Sequence, residues 1–237
     1  MTMKILTLDT ATEACSAALL DGEKLYQRYE IAPRNHTKLI LPMIEALLEA
    51  SGLVLKQLDA LAFGKGPGSF TGVRIAAATA QGVAFGAGEL KVIPVSTLAT
   101  MAQRAMDEFE VERVACAIDA RMKEVYWGCY QRNEQGLAEV VVEDCVIPPA
   151  EVPQPEGDGW LAVGTGWGAY EEALMAQLDG QVTASHVEYF PSAAAMTRLA
   201  VAEWHAGNSV DAEQALPVYL RDKVAQVPKG MKPVVKD

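Results

Sequence analysis

Histidine is scarce in this chain, with only His36, His186 and His205 among 237 residues, and that scarcity narrows the chemistry at once. None lies four residues from another. Ile40 occupies the place where a second histidine would complete a helical pair with His36, so there is no H-E-x-x-H zinc site, and no bound metal or metal-dependent hydrolysis is expected. Cysteine is also sparse: Cys15, Cys116, Cys129 and Cys145 stand singly in apolar runs, without a C-x-x-C pair. Such thiols behave as small core hydrophobes and suit a reducing cytosol. Positive charge is in deficit. Twenty Lys and Arg against 31 Asp and Glu leave a formal net charge of −11, which opposes autonomous binding to a nucleic acid backbone, because phosphate contacts require a basic face. Long hydrophobic runs are missing too. The stretch Val73–Ala87 is broken by Arg74, Thr79, Gln81 and Gly82 and is too short to cross a bilayer. The opening MTMKILTLDT shows no signal-peptide series, so a soluble, cytoplasmic protein with no membrane partner is expected.

What is present is ample core material. Half the residues are hydrophobic, enough for one large domain or two lobes. Met3–Asp9, Ala14–Leu20 and Glu23–Glu30 read as strands, the last two joined at Asp21-Gly22, a hairpin signal. Leu39, Ile40, Met43, Ile44, Leu47 and Leu48 recur at helical spacing and stop near Ser51-Gly52. A short strand (Leu58–Gly64), a Gly/Pro-rich loop (Lys65–Gly72), an Ala-rich helix (Val73–Ala87), a strand (Lys91–Val95) and a helix (Thr97–Glu108) complete the first half. That order predicts a mixed sheet with helices packed on it.

The second half opens as the first does. Ile5–Asp9 can be laid over Ala115–Asp119, each a buried strand ending in Asp and followed by a returning strand, Ala14–Leu20 in one copy and Val125–Gln131 in the other. The alternative, two unrelated strands that happen to end in Asp, stays open on the letters alone. Leu137–Val146, a Pro-rich link over Pro148–Gly159, Trp160–Gly164 and helices at Ala169–Leu178 and Ser192–Ala206 follow. Pro217–Arg221 reads either as a last strand or as a returning helix. The tail is locally basic, with Arg221, Lys223, Lys229, Lys232 and Lys236, a solvated terminus or a surface that touches RNA or a partner.

Two strand-terminal Asp residues facing across a cleft orient metal and phosphates in actin-like ATPases, with tight Gly turns for the phosphates. The turns here, Asp9-Thr10-Ala11-Thr12 and Asp119-Ala120-Arg121-Met122, contain no Gly, so autonomous ATP hydrolysis is not expected. The run Lys65-Gly66-Pro67-Gly68-Ser69-Phe70-Thr71-Gly72-Val73-Arg74 precedes a helix N-terminus, which suits an anion. It is not a Walker A loop, and a tight turn capped by Ser69 or Thr71 is the competing reading. Its Lys65, Gly66, Gly68, Ser69, Thr71 and Arg74, with Asp9, are the candidate nucleotide contacts. The second helix is small on nearly all sides, so it packs either on its own sheet or, beside the first helix, against a partner.

These letters resemble a known family. Lys65–Arg74, Asp9–Thr12, Pro94–Leu98, Ile118–Met122, Val163–Trp167 and Pro217–Arg221 keep the order and wording of the bacterial TsaB (YeaZ) family across nearly the whole chain. The resemblance implies an actin-like (ASKHA, ribonuclease H-like) α/β fold of two lobes, each with a mixed sheet flanked by helices. Lobes at 1–108 and 109–213 are expected, with 214–237 packing back on the first. The resemblance also implies a non-catalytic role in forming threonylcarbamoyl-adenosine next to the anticodon of tRNAs that read codons starting with A. The catalytic paralogue TsaD carries the metal-binding histidines and an ATP site; Asn35–Ile40 falls where its histidine pair lies. TsaD, TsaE and, in the absence of TsaD, a second copy of the chain are the implied partners, with tRNA reached indirectly and ATP or ADP held only where a partner completes the pocket. The contact is expected on Thr37–Leu48 and Val73–Phe85, carried by Leu39, Ile40, Met43 and Leu47 and by Val73, Ala76, Ala77, Ala80 and Ala84, with Ala77 taken as exposed.

Overall fold

The computed structural model describes residues 3–221. Strands β1 (Lys4–Asp9), β2 (Ala14–Asp21) and β3 (Lys24–Ile31) form the expected meander, followed by α1 (His36–Ser51), β4 (Ala60–Gly66), α2 (Phe70–Gly86), β5 (Lys91–Ser96) and α3 (Thr97–Phe109). The second half runs β6 (Arg113–Asp119), β7 (Val125–Arg132), β8 (Ala138–Ile147), β9 (Trp160–Val163), α4 (Thr165–Ala169), α5 (Glu171–Gln177), β10 (Val182–His186) and α6 (Ala193–His205). Helix α2 starts three residues before Val73 because the Ser69 hydroxyl accepts the Gly72 N–H at 3.1 Å as an N-cap. Helix α1 stops at Gly52, whose φ of 72° a residue with a Cβ adopts only at a cost. The helix expected over Ala169–Leu178 is α5, with the short α4 added just before it, the exposed edge strand β10 had no apolar run to mark it, and Pro217–Arg221 is neither strand nor helix.

Two five-stranded sheets share one plan. The first is ordered β3-β2-β1-β4-β5 and the second β8-β7-β6-β9-β10. In each, the first three strands pair antiparallel and the next two add in parallel. Strand β6 therefore repeats β1, as the shared Asp ending suggested. Alternation along the strands divides four cores. Leu6, Leu8, Leu61 and Phe63 meet α1 and α2, whereas Ile5, Ala62 and Ile93 meet Met196, Leu199 and Ala200 of α6. Across the second sheet, Val114, Cys116 and Val163 meet α3, and Ala115, Trp127 and Trp160 meet Trp167 and Leu174.

This arrangement corrects the lobe boundaries at 108 and 213. Helix α3, from the first half, packs its Leu98, Met101 and Ala105 on the second sheet. Helix α6, from the second half, covers the first sheet, and Thr7 anchors it by donating to the Ala193 carbonyl at 2.7 Å. Ala212 and Ala215 also lie in the first core, and Val210 bridges to Val92. The two crossed helices fill the space between sheets, so each apolar stripe is buried by the sheet it reaches rather than the one nearest in sequence.

Candidate functional site in the interlobe cleft and on the helix pair

Strand β6 brings Asp119 to the lining of a cleft of about 840 Å³ between the lobes, and the turn after β1 brings Ala11 and Thr12 there, with Asp9 buried behind them. Each Asp Oδ1 accepts an N–H two residues on, Ala11 or Arg121, at 2.8 Å, which makes the same side-chain turn in both copies. Beyond that they differ. Asp9 is 1% exposed, and its Oδ2 is buried without a hydrogen-bond partner against Gly64, where a Cβ would overlap the carboxylate. Loss of water pushes its pKa up to about 7, opposed in part by the Ala11 N–H. Asp119 instead turns its second oxygen to the Arg121 guanidinium at 2.7 Å.

The glycine-rich loop packs on the turn that follows Asp9. The Ser69 N–H donates to the Ala11 carbonyl and the Thr10 hydroxyl to the Gly72 carbonyl, each at 2.7 Å. A Cβ on Gly68 or Gly72 would stand closer than 3.0 Å to the carbonyls of Ala11 or Thr10. These glycines let two backbones of the same chain touch, the close approach that glycine alone permits. Among the candidate nucleotide contacts, Asp9 is thus corrected to a buried residue, Gly66 and Gly68 lie against the chain's own backbone, and Ser69 caps α2. The Lys65 carbonyl accepts the Val218 N–H at 2.8 Å. Thr71 and Arg74 stay at the surface. The metal–nucleotide pair of a working actin-like site does not fit here, since one carboxylate is enclosed and the other is already neutralised by Arg121.

Arg34, His36 and Phe70 line the cleft from the first lobe, Met122, Tyr126 and Thr165 from the second, and Val218–Arg221 run along one side. His36 is buried, with Nε2 unpartnered. Among the described residues no three His, Cys, Asp or Glu gather as metal ligands. Buried Cys15 has its thiol pushed up to about 12 by desolvation and the nearby Asp9 and Glu30, which keeps it unreactive.

The partner-contact residues also need correction. Ile40, Met43 and Leu47 of α1 and Ala76, Ala77, Ala80 and Ala84 of α2 are buried in the first core, Leu39 is half-buried against it, and Val73 is buried beside Gly66 at the cleft. Burying each larger side chain stabilises by roughly 1.5–3 kcal/mol, so the apolar stripe of each helix turns to the sheet. The outward face carries Lys38, Leu41 and Glu45 of α1 and Arg74, Ala78, Gly82 and Phe85 of α2. Leu41 is 51% and Phe85 56% exposed, and a Cβ on Gly82 or Gly86 would meet nothing within 4 Å.

One polar knot had no signal in the letters. Ser96, the N-cap of α3, donates to Asp144 at 2.6 Å, and the buried Tyr130 hydroxyl donates to the same carboxylate. Burial raises the Asp144 pKa against these hydrogen bonds. Its members lie 34 and 48 residues from Ser96, a separation no local pattern spans. The basic tail, apart from Arg221, falls outside the described residues.

The duplicated sheet, the crossed helices and the paired Asp-ended turns define an actin-like two-lobed protein in which the first Asp turn is packed under its own chain and the second lines the cleft. Residues 27–229 match the family model described as TsaD: tRNA N6-adenosine threonylcarbamoyltransferase. The chain is 46% identical over 230 residues to the tRNA threonylcarbamoyladenosine biosynthesis protein TsaB of Escherichia coli K12, covering 94% of this chain and 96% of that one. For TsaB of Haemophilus influenzae the identity is 45% over 231 residues, covering 94% and 95%. The solved structure of YeaZ from Pseudomonas aeruginosa superposes with a TM-score of 0.86 at 47% identity, covering 92% of this chain and 100% of that one. The chain belongs to the TsaB (YeaZ) family.

Proposed function

We propose that this chain is the non-catalytic, cytoplasmic platform of a complex that forms N6-threonylcarbamoyladenosine next to the anticodon of tRNAs reading codons that start with A. The observation that carries the reading is the contrast between the occupied Asp turns and an uncovered helix face. Asp9 is buried against Gly64, the loop Gly68–Gly72 packs on Thr10 and Ala11, and Asp119 is held by Arg121, while Leu41, Phe85 and the small Ala78 and Gly82 stay uncovered on α1 and α2. The uncovered face receives the catalytic paralogue TsaD, or a second copy of the chain when TsaD is absent, because small residues let a partner helix approach closely. TsaE joins the assembled pair, and tRNA is reached through the complex, as the net charge of −11 requires. ATP or ADP is held only where a partner completes a pocket at the first turn of α2, beside Thr71 and Arg74.

The experiment is threonylcarbamoyl-adenosine formation by purified TsaC, TsaD and TsaE with tRNA, threonine, bicarbonate and ATP, with and without this chain. Modification that depends on the chain, together with no ATP turnover by the chain alone, supports the platform. Full modification without it removes the platform role, and ATP hydrolysis by it alone replaces the platform with an independent ATPase or kinase.

A further inference from the structure

The segment after Ala215 has no regular secondary structure, yet it is tied to both lobes. Ala215 is buried in the first core, and its carbonyl accepts from Gln81 Nε2 at 3.2 Å. Val218 N–H donates to the Lys65 carbonyl at the end of β4. The Tyr219 ring lies 6.3 Å from that of Phe70, and the Arg74 guanidinium sits 3.2 Å from the Phe70 centroid and 5.3 Å from the Tyr219 centroid. Two residues on, Arg221 reaches the second lobe. Its Nη2 donates to the carbonyls of Ala120 and Arg121 at 3.2 and 3.4 Å and pairs with Glu124, and its Nη1 lies 3.6 Å from Met122 Sδ.

The turn that Arg221 reaches is strained. Arg121, Met122 and Lys123 have φ of 60°, 56° and 66°, three consecutive side-chain-bearing residues in the left-handed region. That conformation is unfavourable at each of them and persists only when the surroundings hold it. Within the turn, Ala120 N–H donates to the Glu124 carbonyl at 3.0 Å and Glu124 N–H to the Arg121 carbonyl at 3.1 Å. These bonds close the loop but leave the Ala120 carbonyl to Arg221.

We infer that Leu216–Arg221 is a strap that crosses the cleft mouth and holds the 120–124 turn in its left-handed form, with Arg221 as the positioning residue. In an actin-like fold a bound ligand bridges the lobes at this cleft; here the chain supplies a bridge of its own. The planar guanidinium forks over two carbonyls and a carboxylate at once, a geometry that lysine cannot reproduce. The Tyr219–Arg74–Phe70 stack links the strap to the first turn of α2, so its seating is coupled to the end of that helix. The inference stands apart from the platform reading, because it concerns contacts within one chain and its test needs no partner.

The test is amide hydrogen exchange on the full chain. Arg221→Ala should speed exchange of the Ala120 and Glu124 amides by about tenfold or more while the strands of the second sheet keep their protection. Arg221→Lys, which retains the charge opposite Glu124, should resemble Arg221→Ala. Adding Met122→Gly to Arg221→Ala should restore protection, because glycine takes a positive φ without penalty. Unchanged exchange in Arg221→Ala, full protection in Arg221→Lys, or a loss of protection spread over β6 to β9 would overturn the inference. Should Arg221→Ala fail to fold, Tyr219→Ala removes the other anchor and is expected to give the same local exchange; wild-type exchange there would overturn the inference as well.

Discussion

The turn after Asp9 and the turn after Asp119 begin alike and end differently. Both follow the central strand of a five-stranded sheet, and both close with an Asp oxygen accepting an N–H two residues on. In the first lobe the glycine-rich segment lands on the turn itself, where Gly68 and Gly72 touch Ala11 and Thr10. In the second lobe Gly164 and Gly166 touch Ala117, two residues before the Asp, and the turn stays open to the cleft. A shift in where two loops meet thus buries one carboxylate and leaves the other to an arginine. The same duplicated plan yields one structural turn and one surface turn, and neither keeps the open, glycine-lined phosphate site of an ATPase.

The comparison can be broken most severely at Gly72. Gly72→Ala sets a Cβ against the Thr10 carbonyl, backbone against backbone, and should destabilise by about 3 kcal/mol or more in urea unfolding. Ala77→Glu should do comparable damage by placing a charge at a position 4% exposed. Leu41→Glu, on the outer face of the same helix pair, should leave the melting temperature within a few degrees and abolish co-purification with TsaD. Retained co-purification would move the docking surface elsewhere.

Asp9→Asn sharpens the contrast through pH. The Asp9 pKa is raised in the fold, so its contribution to stability is fully present below the unfolded pKa near 4 and is lost as pH rises through about 7. The asparagine variant should therefore be more stable than the parent at pH 8, by about 2–4 kcal/mol, and should lose less stability between pH 4 and 7. Asp144, also raised by burial, leaves a residual slope of the same sign. Equal denaturation midpoints for the two proteins at pH 8 would mean that Asp9 is not ionised against its environment.

Gly82→Ala, at a helical position with open space, should stabilise by about 1 kcal/mol while crowding the docking face. The smallest effect is expected at the open turn. Arg121→Ala removes an ion pair whose arginine side chain is 79% exposed and should change stability by less than about 1 kcal/mol.

The expected elements were legible where one period dominated. The meander, the α1 stripe of Ile40, Met43, Ile44 and Leu47, and the two Asp-ended strands follow from alternation or helical spacing. Ser69 marked the start of α2 as a cap, although its helix begins earlier than the apolar pattern. Legibility failed for β10, whose five residues Val182–His186 show no buried run, and for the strap, whose Tyr219 and Arg221 gain meaning only from Phe70 and Glu124. It failed as well for the contact residues, because an apolar stripe shows that a helix buries one face but not against what.

By itself, then, the sequence determined most of the order of elements, the lack of a helical histidine pair and the family likeness, since each rests on local spacing or on letters in order, and it suggested the duplication that the sheet order established. Tertiary structure alone decided which sheet each crossed helix covers, which Asp is sealed, which face of α1 and α2 stays uncovered, and that Arg221 holds a left-handed turn about a hundred residues away in the chain. Those outcomes depend on which distant surfaces exclude water together. That is a property of the packed chain, which no window of neighbouring residues records.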